Sequence, residues 1–129
     1  MYIFVYGTLK QGFRNAHFLK DAEFICQTTT KHPDYRMVVF ESRIAGQTYP
    51  AVFDRGESFI SGEVYKITPV ILERLDDLED EGLRYKRVPI DLDCDIAAEF
   101  YLSLEYDRPV LETNLEYAPD TKTYTYIEM

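Results

Sequence analysis

The stretch Tyr2-Ile3-Phe4-Val5-Tyr6-Gly7-Thr8-Leu9-Lys10-Gln11-Gly12 decides how the rest of the chain is interpreted. Its residues 3–5 are apolar without a polar interruption, which predicts a strand that is buried on both faces. Gly7 ends the run, because a residue without a Cβ allows a positive φ or the close approach of another group. A buried strand that opens into a loop bounded by Gly7 and Gly12 can direct backbone N–H groups at an anion or a polarised carbonyl. The alternative is that this loop is only a turn.

Size and charge predict one acidic globular domain over residues 1–129. The 129 residues, 15.1 kDa in mass, suit a single domain with a core, and no repeat or linker divides them. A formal net charge of −9 without a basic cluster argues against nucleic acid or an anionic membrane as a partner. No apolar run reaches the roughly 18 residues that would span a bilayer. Met1 leads directly into the first strand, so no signal peptide is expected.

The cysteines and histidines predict neither a disulfide framework nor a metal site. Cys26 and Cys94 are the two cysteines, and this number favours a reducing, cytoplasmic location. His17 and His32 show no ligand spacing with them, so no metal is expected. The sequence does not indicate an oligomeric state.

The hydrophobic pattern predicts many short strands and two helices, which is typical of an α+β fold with a small mixed β-barrel or curled sheet. Strands are predicted at 3–5, 24–30, 35–40, 46–53, 59–67, 85–92 and 97–104, and helices after Asn15 and from Thr68 to about Asp80. Residues 54–57 are predicted to form a turn between two strands. The first connection, after Leu9, is the one candidate for a crossover. The polar tail either adds a strand or packs loosely over the domain.

One carboxylate of the predicted 68–81 helix falls on its apolar side. The apolar face consists of Ile71, Leu72, Leu75 and Leu78. At about 100° per residue, Glu79 lies about 80° from Ile71 and therefore inside this arc, whereas the other acids lie opposite it or at its margin. Desolvation there raises the pKa of a carboxyl group and suits it to general acid/base catalysis. The alternative is that Glu79 lies in a fraying last turn and reaches water, Arg84 or Arg87.

Several short motifs occur in an order that resembles a known family. They are Tyr6-Gly7-Thr8-Leu9-Lys10, Asn15, Tyr49-Pro50-Ala51, Gly62-Glu63-Val64-Tyr65, Leu75-Asp76-Asp77-Leu78-Glu79 and Tyr85-Lys86-Arg87. The ordered set, strongest over residues 2–92, resembles the gamma-glutamylcyclotransferase-like family, and most closely its AIG2-like, gamma-glutamylamine cyclotransferase branch. The glutathione-specific branch usually carries Ser at the position of Thr8 and matches less well. The motifs end by about residue 104, which leaves 105–129 as a C-terminal extension without an assigned role.

The resemblance implies a compact β-barrel with flanking helices and a cofactor-free enzyme of the lyase type. In that family the α-amine of a small γ-glutamyl substrate attacks its own side-chain carbonyl, which releases 5-oxoproline and an amine or amino acid. By this resemblance Glu79 is the catalytic acid/base, and the substrate-binding residues are Tyr6, Gly7, Thr8, Leu9 and Tyr85. The hydroxyl groups of the two tyrosines are expected to orient the substrate's carboxylate or amine.

Two questions stay open from the sequence. The leaving group is an amino acid, an amine or a larger product that carries a γ-glutamyl cap. The alternative function is a non-catalytic module that binds a small carboxylate on the same scaffold. A buried Glu79 favours the enzyme, because an anion-binding site gains nothing from a buried negative charge.

Overall fold

The computed structural model describes residues 1–44, 46–105 and 109–128. In chain order the elements are β1 (Tyr2–Val5), a 3₁₀ helix (Ala16–Leu19), β2 (Glu23–Thr29), β3 (Tyr35–Glu41), β4 (Thr48–Lys66), α1 (Pro69–Leu78), β5 (Tyr85–Asp91), β6 (Ala97–Ser103), β7 (Val110–Leu111), β8 (Leu115–Ala118) and β9 (Thr123–Tyr126). The strands form one mixed nine-stranded sheet. This arrangement confirms the predicted α+β class. Within the described residues, no helix has the length and apolar character needed to cross a membrane.

The long strand β4 is the centre of the sheet. It pairs antiparallel with β1, β2 and β3 and parallel with β9. β1 and β2 both lie against the carboxyl-terminal part of β4, one on each edge. Because both are antiparallel to β4, they are parallel to each other. The connection between them through the 3₁₀ helix is therefore a crossover, as the sequence suggested.

The sheet curls into a barrel-like shape whose edges meet at one place. β6 pairs parallel with β1 and antiparallel with β5. An isolated bridge between Thr30 and Leu92 then joins the ends of β2 and β5. The N–H of Lys31 also donates to the carbonyl of Asp91 at 2.9 Å. In the described part of the chain the edges are joined by this local bridge and not by a continuous ladder of strand pairs, and the barrel prediction is confirmed in this form.

The predicted turn at 54–57 is wrong, because residues 48–66 form one continuous strand of 19 residues. The register between β3 and β4 shifts between Tyr35 and Arg36, so that residues 54–57 bulge out of the ladder. At Gly56 an added Cβ would lie 2.2 Å from the carbonyl oxygen of Tyr35. The turn-forming residues therefore interrupt the pairing without reversing the chain.

Strand β1 is buried on both faces, as predicted. Phe4 is fully buried and packs in the cluster inside the curled sheet. Ile3 and Val5 point to the other side, where they share a second cluster with Ile71 and Leu75 of α1. The helix is thus fixed against the outer face of the strand that leads into the first loop.

The C-terminal tail adds strands to the sheet, which decides between the two alternatives left open by the sequence. β9 pairs with β4 at Phe59 and Ile60, and β8 pairs with β9. The side chain of Tyr126 is fully buried. Residues 110–126 are therefore part of the folded structure.

Candidate active site

A cavity of about 490 Å³ opens where β1 ends. This volume lies within the range of pockets that hold small molecules. Six residues predicted from the sequence line it together: Tyr6, Gly7, Thr8, Leu9, Glu79 and Tyr85. They come from the first loop directly after β1, the end of α1 and the start of β5.

The first loop is a tight structure in which two backbone N–H groups have no protein partner among the described residues. The N–H of Lys10 donates to the carbonyl of Gly7 at 3.1 Å. Asn15 holds the loop from the side, since its Nδ2 donates to Oγ1 of Thr8 at 2.9 Å. Across residues 1–44, 46–105 and 109–128, the N–H groups of Thr8 and Leu9 form no hydrogen bond with the protein. These two donors are available to a ligand.

Gly7 is required by a close contact. A Cβ on this residue would lie 2.6 Å from Cγ of Pro50, well inside van der Waals contact. Pro50 also lines the cavity. The absence of a side chain at Gly7 therefore lets the loop and β4 approach each other.

Helix α1 places Glu79 at the cavity. The helix ends at Leu78, slightly earlier than the predicted end near Asp80, and Glu79 is its C-cap residue. Its N–H still donates to the carbonyl of Leu75 at 2.9 Å, and its backbone keeps helical angles. The side chain of Glu79 therefore follows the direction given by the helical wheel. Positive φ values at Asp80 and Gly82 then turn the chain away from the helix.

The carboxyl group of Glu79 titrates near neutral pH. Burial raises its pKa from the ordinary value of 4.5 to about 7, while the nearby charge of Arg84 lowers it and that of Asp80 raises it. The side chain retains some exposure because it lines the cavity. Its position at the carboxyl end of α1 acts in the same direction as burial, since that end of a helix carries partial negative charge. A ligand in the cavity can thus reach a carboxyl group that the protein desolvates.

The two arginines that were alternative partners of Glu79 are bound to other carboxylates. Nε of Arg84 donates to Oε1 of Glu105 at 2.9 Å. Arg87 makes two hydrogen bonds to Asp76, at 3.0 and 3.2 Å. In the part of the chain that the structure describes, no hydrogen bond or ion pair engages the Glu79 carboxylate.

Tyr6 and Tyr85 are buried beside Glu79 and use their protons on the backbone. The hydroxyl of Tyr6 donates to the carbonyl of Tyr101 at 2.6 Å, and that of Tyr85 donates to the carbonyl of Pro50 at 2.8 Å. Burial raises the pKa of both phenols well above the ordinary value, and the charge of Glu79 adds to the shift. Each phenol oxygen also has acceptor capacity, part of which a backbone hydrogen bond from Val52 uses at Tyr6. This geometry suits a substrate N–H better than a substrate carboxylate.

Sequence reasoning missed part of the cavity lining. Ser42, Ile44 and Gln47, from the hairpin between β3 and β4, line it together with Arg14. The hairpin is closed by a hydrogen bond from the N–H of Ser42 to the carbonyl of Gln47 at 2.9 Å. Loop residues of this kind carry no periodic pattern, so no signal in the sequence distinguishes them.

Comparison with known families agrees with the motif order. The family model for gamma-glutamyl cyclotransferase, AIG2-like, matches residues 3–125. The chain belongs to this family. The match extends well beyond residue 104, where the recognisable motifs end, and so includes most of the tail.

Relatives of known name belong to the same family. A provisionally named gamma-glutamylcyclotransferase of Methanocaldococcus jannaschii is 35% identical over 100 residues, which cover 76% of this chain and 77% of that protein. Gamma-glutamylaminecyclotransferase A of Danio rerio is 35% identical over 98 residues, covering 70% of this chain and 57% of the zebrafish protein. The crystal structure of an AIG2-like protein from Mus musculus has the same fold, with a TM-score of 0.68 at 23% identity and coverage of 99% and 97%.

Proposed function

We propose that this chain is an active gamma-glutamyl cyclotransferase, which converts a small γ-glutamyl compound into 5-oxoproline and a free amine or amino acid. The observation that carries the proposal is Glu79. Its carboxyl group has a pKa of about 7, faces a small-molecule cavity and has no bound protein cation among the described residues. Family membership supports the same reaction class.

Glu79 is the proposed general acid/base. The attacking α-amine loses one proton as it bonds to the γ-carbonyl carbon, and the departing nitrogen gains one as its bond to that carbon breaks. A carboxyl group with a pKa near the working pH exists in both protonation states and can carry this proton from one nitrogen to the other. The complete scheme therefore uses no cofactor.

The first loop and the two tyrosines are the proposed binding groups. In this proposal the N–H groups of Thr8 and Leu9 bind the carbonyl oxygen as it becomes an oxyanion. The phenol oxygens of Tyr6 and Tyr85 accept hydrogen bonds from the attacking amine and hold it near the carbonyl. Because both reacting groups belong to one molecule, this positioning supplies a large part of the acceleration.

The test is 5-oxoproline release from a panel of γ-glutamyl amino acids and γ-glutamylamines. We expect release by the wild type and a loss of about 10²- to 10⁴-fold in Glu79→Gln, as for removal of a general acid/base. Glu73→Gln is the matched control, because it removes an exposed acid from the same helix. Equal turnover by the wild type and Glu79→Gln would contradict the role of Glu79. Binding of panel members without any release would instead support a non-catalytic carboxylate-binding module.

A further inference from the structure

The edges of the curled sheet meet at a short contact between the ends of β2 and β5. Thr30 and Leu92 form an antiparallel bridge there, and the N–H of Asp93 donates to the carbonyl of Thr29 at 3.0 Å. We call the contact of these four residues the seam. The neighbouring ladder between β5 and β6 is continuous over both strands, so the seam is the weaker of the two joins.

Cys26 lies beside the seam on the β2 side. It precedes Thr30 by four residues, and because side chains alternate along a strand, the two point to the same face. The half-buried side chain of Cys26 packs against the core cluster inside the curled sheet, to which Leu92 also belongs. Cys26 and Leu92 therefore lie on the same, inner side of the sheet.

Cys94 comes directly after the seam, in the turn between β5 and β6. The N–H of Asp95 donates to the carbonyl of Leu92 at 3.0 Å and closes this turn. Nζ of Lys31 lies 3.0 Å from Oδ1 of Asp95, so an ion pair holds the turn against the chain that leaves β2. The exposed Cys94 is thus fixed in position from both sides of the seam.

The fold brings these two cysteines together from distant parts of the chain. Both are free thiols. Burial raises the pKa of the Cys26 thiol, and the interaction with the neighbouring thiol of Cys94 raises it further. Neither residue lines the cavity, so this pair of thiols is separate from the candidate active site.

We propose that Cys26 and Cys94 form a redox modification site, at which a hydroperoxide converts the two thiols into a disulfide bond across the seam. The bond stabilises the closed sheet, because it joins β2 covalently to the turn that follows β5. This proposal does not depend on the proposed function.

The order of the chemical steps follows from exposure. The thiolate of the exposed Cys94 attacks one oxygen of the hydroperoxide, the O–O bond breaks, and the products are a sulfenic acid on Cys94 and an alcohol, or water when the oxidant is hydrogen peroxide. The thiol of Cys26 then attacks the sulfur of that sulfenic acid. The S–O bond breaks, and the hydroxyl group leaves as water with the proton of the Cys26 thiol. The two thiols together lose two electrons, which reduce the O–O bond.

The surroundings of Cys94 favour a neutral oxidant. Asp93 and Asp95 flank it in the sequence, and the whole chain carries a formal net charge of −9. Both disfavour the approach of an anion, such as a disulfide that carries carboxylates. A hydroperoxide without charge meets no such repulsion.

The test starts from the fully reduced wild type, which is treated with hydrogen peroxide. Because the chain has two cysteines, the number of free thiols should fall from two to none, and a peptide map should show residues 26 and 94 joined within a monomer. The melting temperature should rise by about 5 to 15 °C, as for a disulfide that closes a long loop. Dithiothreitol should restore both the thiols and the original melting temperature.

Two variants separate the steps. Cys94→Ser is the matched control, since peroxide should neither join its remaining thiol to the chain nor raise its melting temperature. In Cys26→Ser the sulfenic acid on Cys94 should persist and react with dimedone, because the thiol that resolves it is absent. If a variant does not fold, the peptide map of the wild type and its reversal by dithiothreitol still decide the question.

Three results would overturn the proposal. The first is that both thiols stay free after peroxide treatment of the wild type. The second is that the thiols are consumed as sulfinic acid or as disulfides between molecules, without a link between Cys26 and Cys94. The third is that the link forms without raising the melting temperature, which would contradict its role in stabilising the seam.

Discussion

Replacement of Glu79 by Gln is expected to stabilise the fold in a way that depends on pH. The pKa of Glu79 is raised in the folded protein, from an ordinary 4.5 to about 7. Below pH 4.5 the carboxyl group is protonated in both the folded and the unfolded chain and carries no penalty. As pH rises from 4.5 to 7 the unfolded chain loses the proton first, so the folded state becomes less stable. Above about pH 7 the full penalty is present.

The size of the effect follows from the shift of the pKa. A difference of one pKa unit corresponds to about 1.4 kcal/mol, so a shift from 4.5 to about 7 corresponds to about 3 kcal/mol. Gln is nearly isosteric with Glu and carries no charge, so it avoids this penalty at every pH. The gain in unfolding free energy of Glu79→Gln over the wild type should therefore increase by about 3 kcal/mol between pH 4.5 and pH 8.

Urea denaturation of both proteins at several pH values measures this difference. The control is Glu73→Gln, which changes the net charge by the same amount at an exposed position of α1. A difference between wild type and Glu79→Gln that is independent of pH, or that shrinks toward pH 8, would refute the assignment of a desolvated carboxyl group to Glu79. The same result in the Glu73→Gln control would assign the effect to net charge.

Two further predictions concern the reaction itself. The kcat/KM of the wild type should rise with pH through about 7, because the ionised form of Glu79 accepts the proton of the amine; a profile that is flat between pH 6 and pH 8 would count against this role. Gly7→Ala should lower kcat/KM by up to about 100-fold, because the new Cβ would lie 2.6 Å from Cγ of Pro50 and displace the loop. Steady-state kinetics together with a melting curve checks this second prediction, and unchanged kinetics would show that the close approach of Gly7 and Pro50 is not needed.

The parts of the fold that follow from local pattern were predictable. The burial of β1 on both faces follows from three consecutive apolar residues. The start of α1 was equally clear, since Thr68 caps it through a hydrogen bond from the N–H of Ile71 and Pro69 follows. The direction of Glu79 followed from the same helix, because a period of 3.6 residues fixes which side chains share a face. These signals lie within a few residues of each other along the chain.

Features that depend on distant partners were not predictable. The turn signal at residues 54–57 does not distinguish a chain reversal from a bulge, because the outcome depends on pairing with β3. The acceptors of the Tyr6 and Tyr85 hydroxyls are backbone carbonyls from other elements, which no side-chain pattern reveals. Arg14 was missed for the same reason, since its partner Glu128 is 114 positions away. Polar residues in loops and tails acquire a role only when tertiary contacts bring them together.

The separation of these partners along the chain also determines when the cavity forms during folding. The hydrogen bond between Tyr6 and Tyr101 spans 95 positions, and that between Lys10 and Tyr126 spans 116. Contacts of this kind require the closure of long loops before they stabilise anything, which slows folding relative to helical proteins of similar size. The cavity therefore has no precursor in α1 or in any single hairpin. In a partly folded chain Glu79 would already lie at the end of a helix. Its carboxyl group would still be hydrated, so its pKa would not be raised, and the residues that line the cavity would not yet be assembled around it.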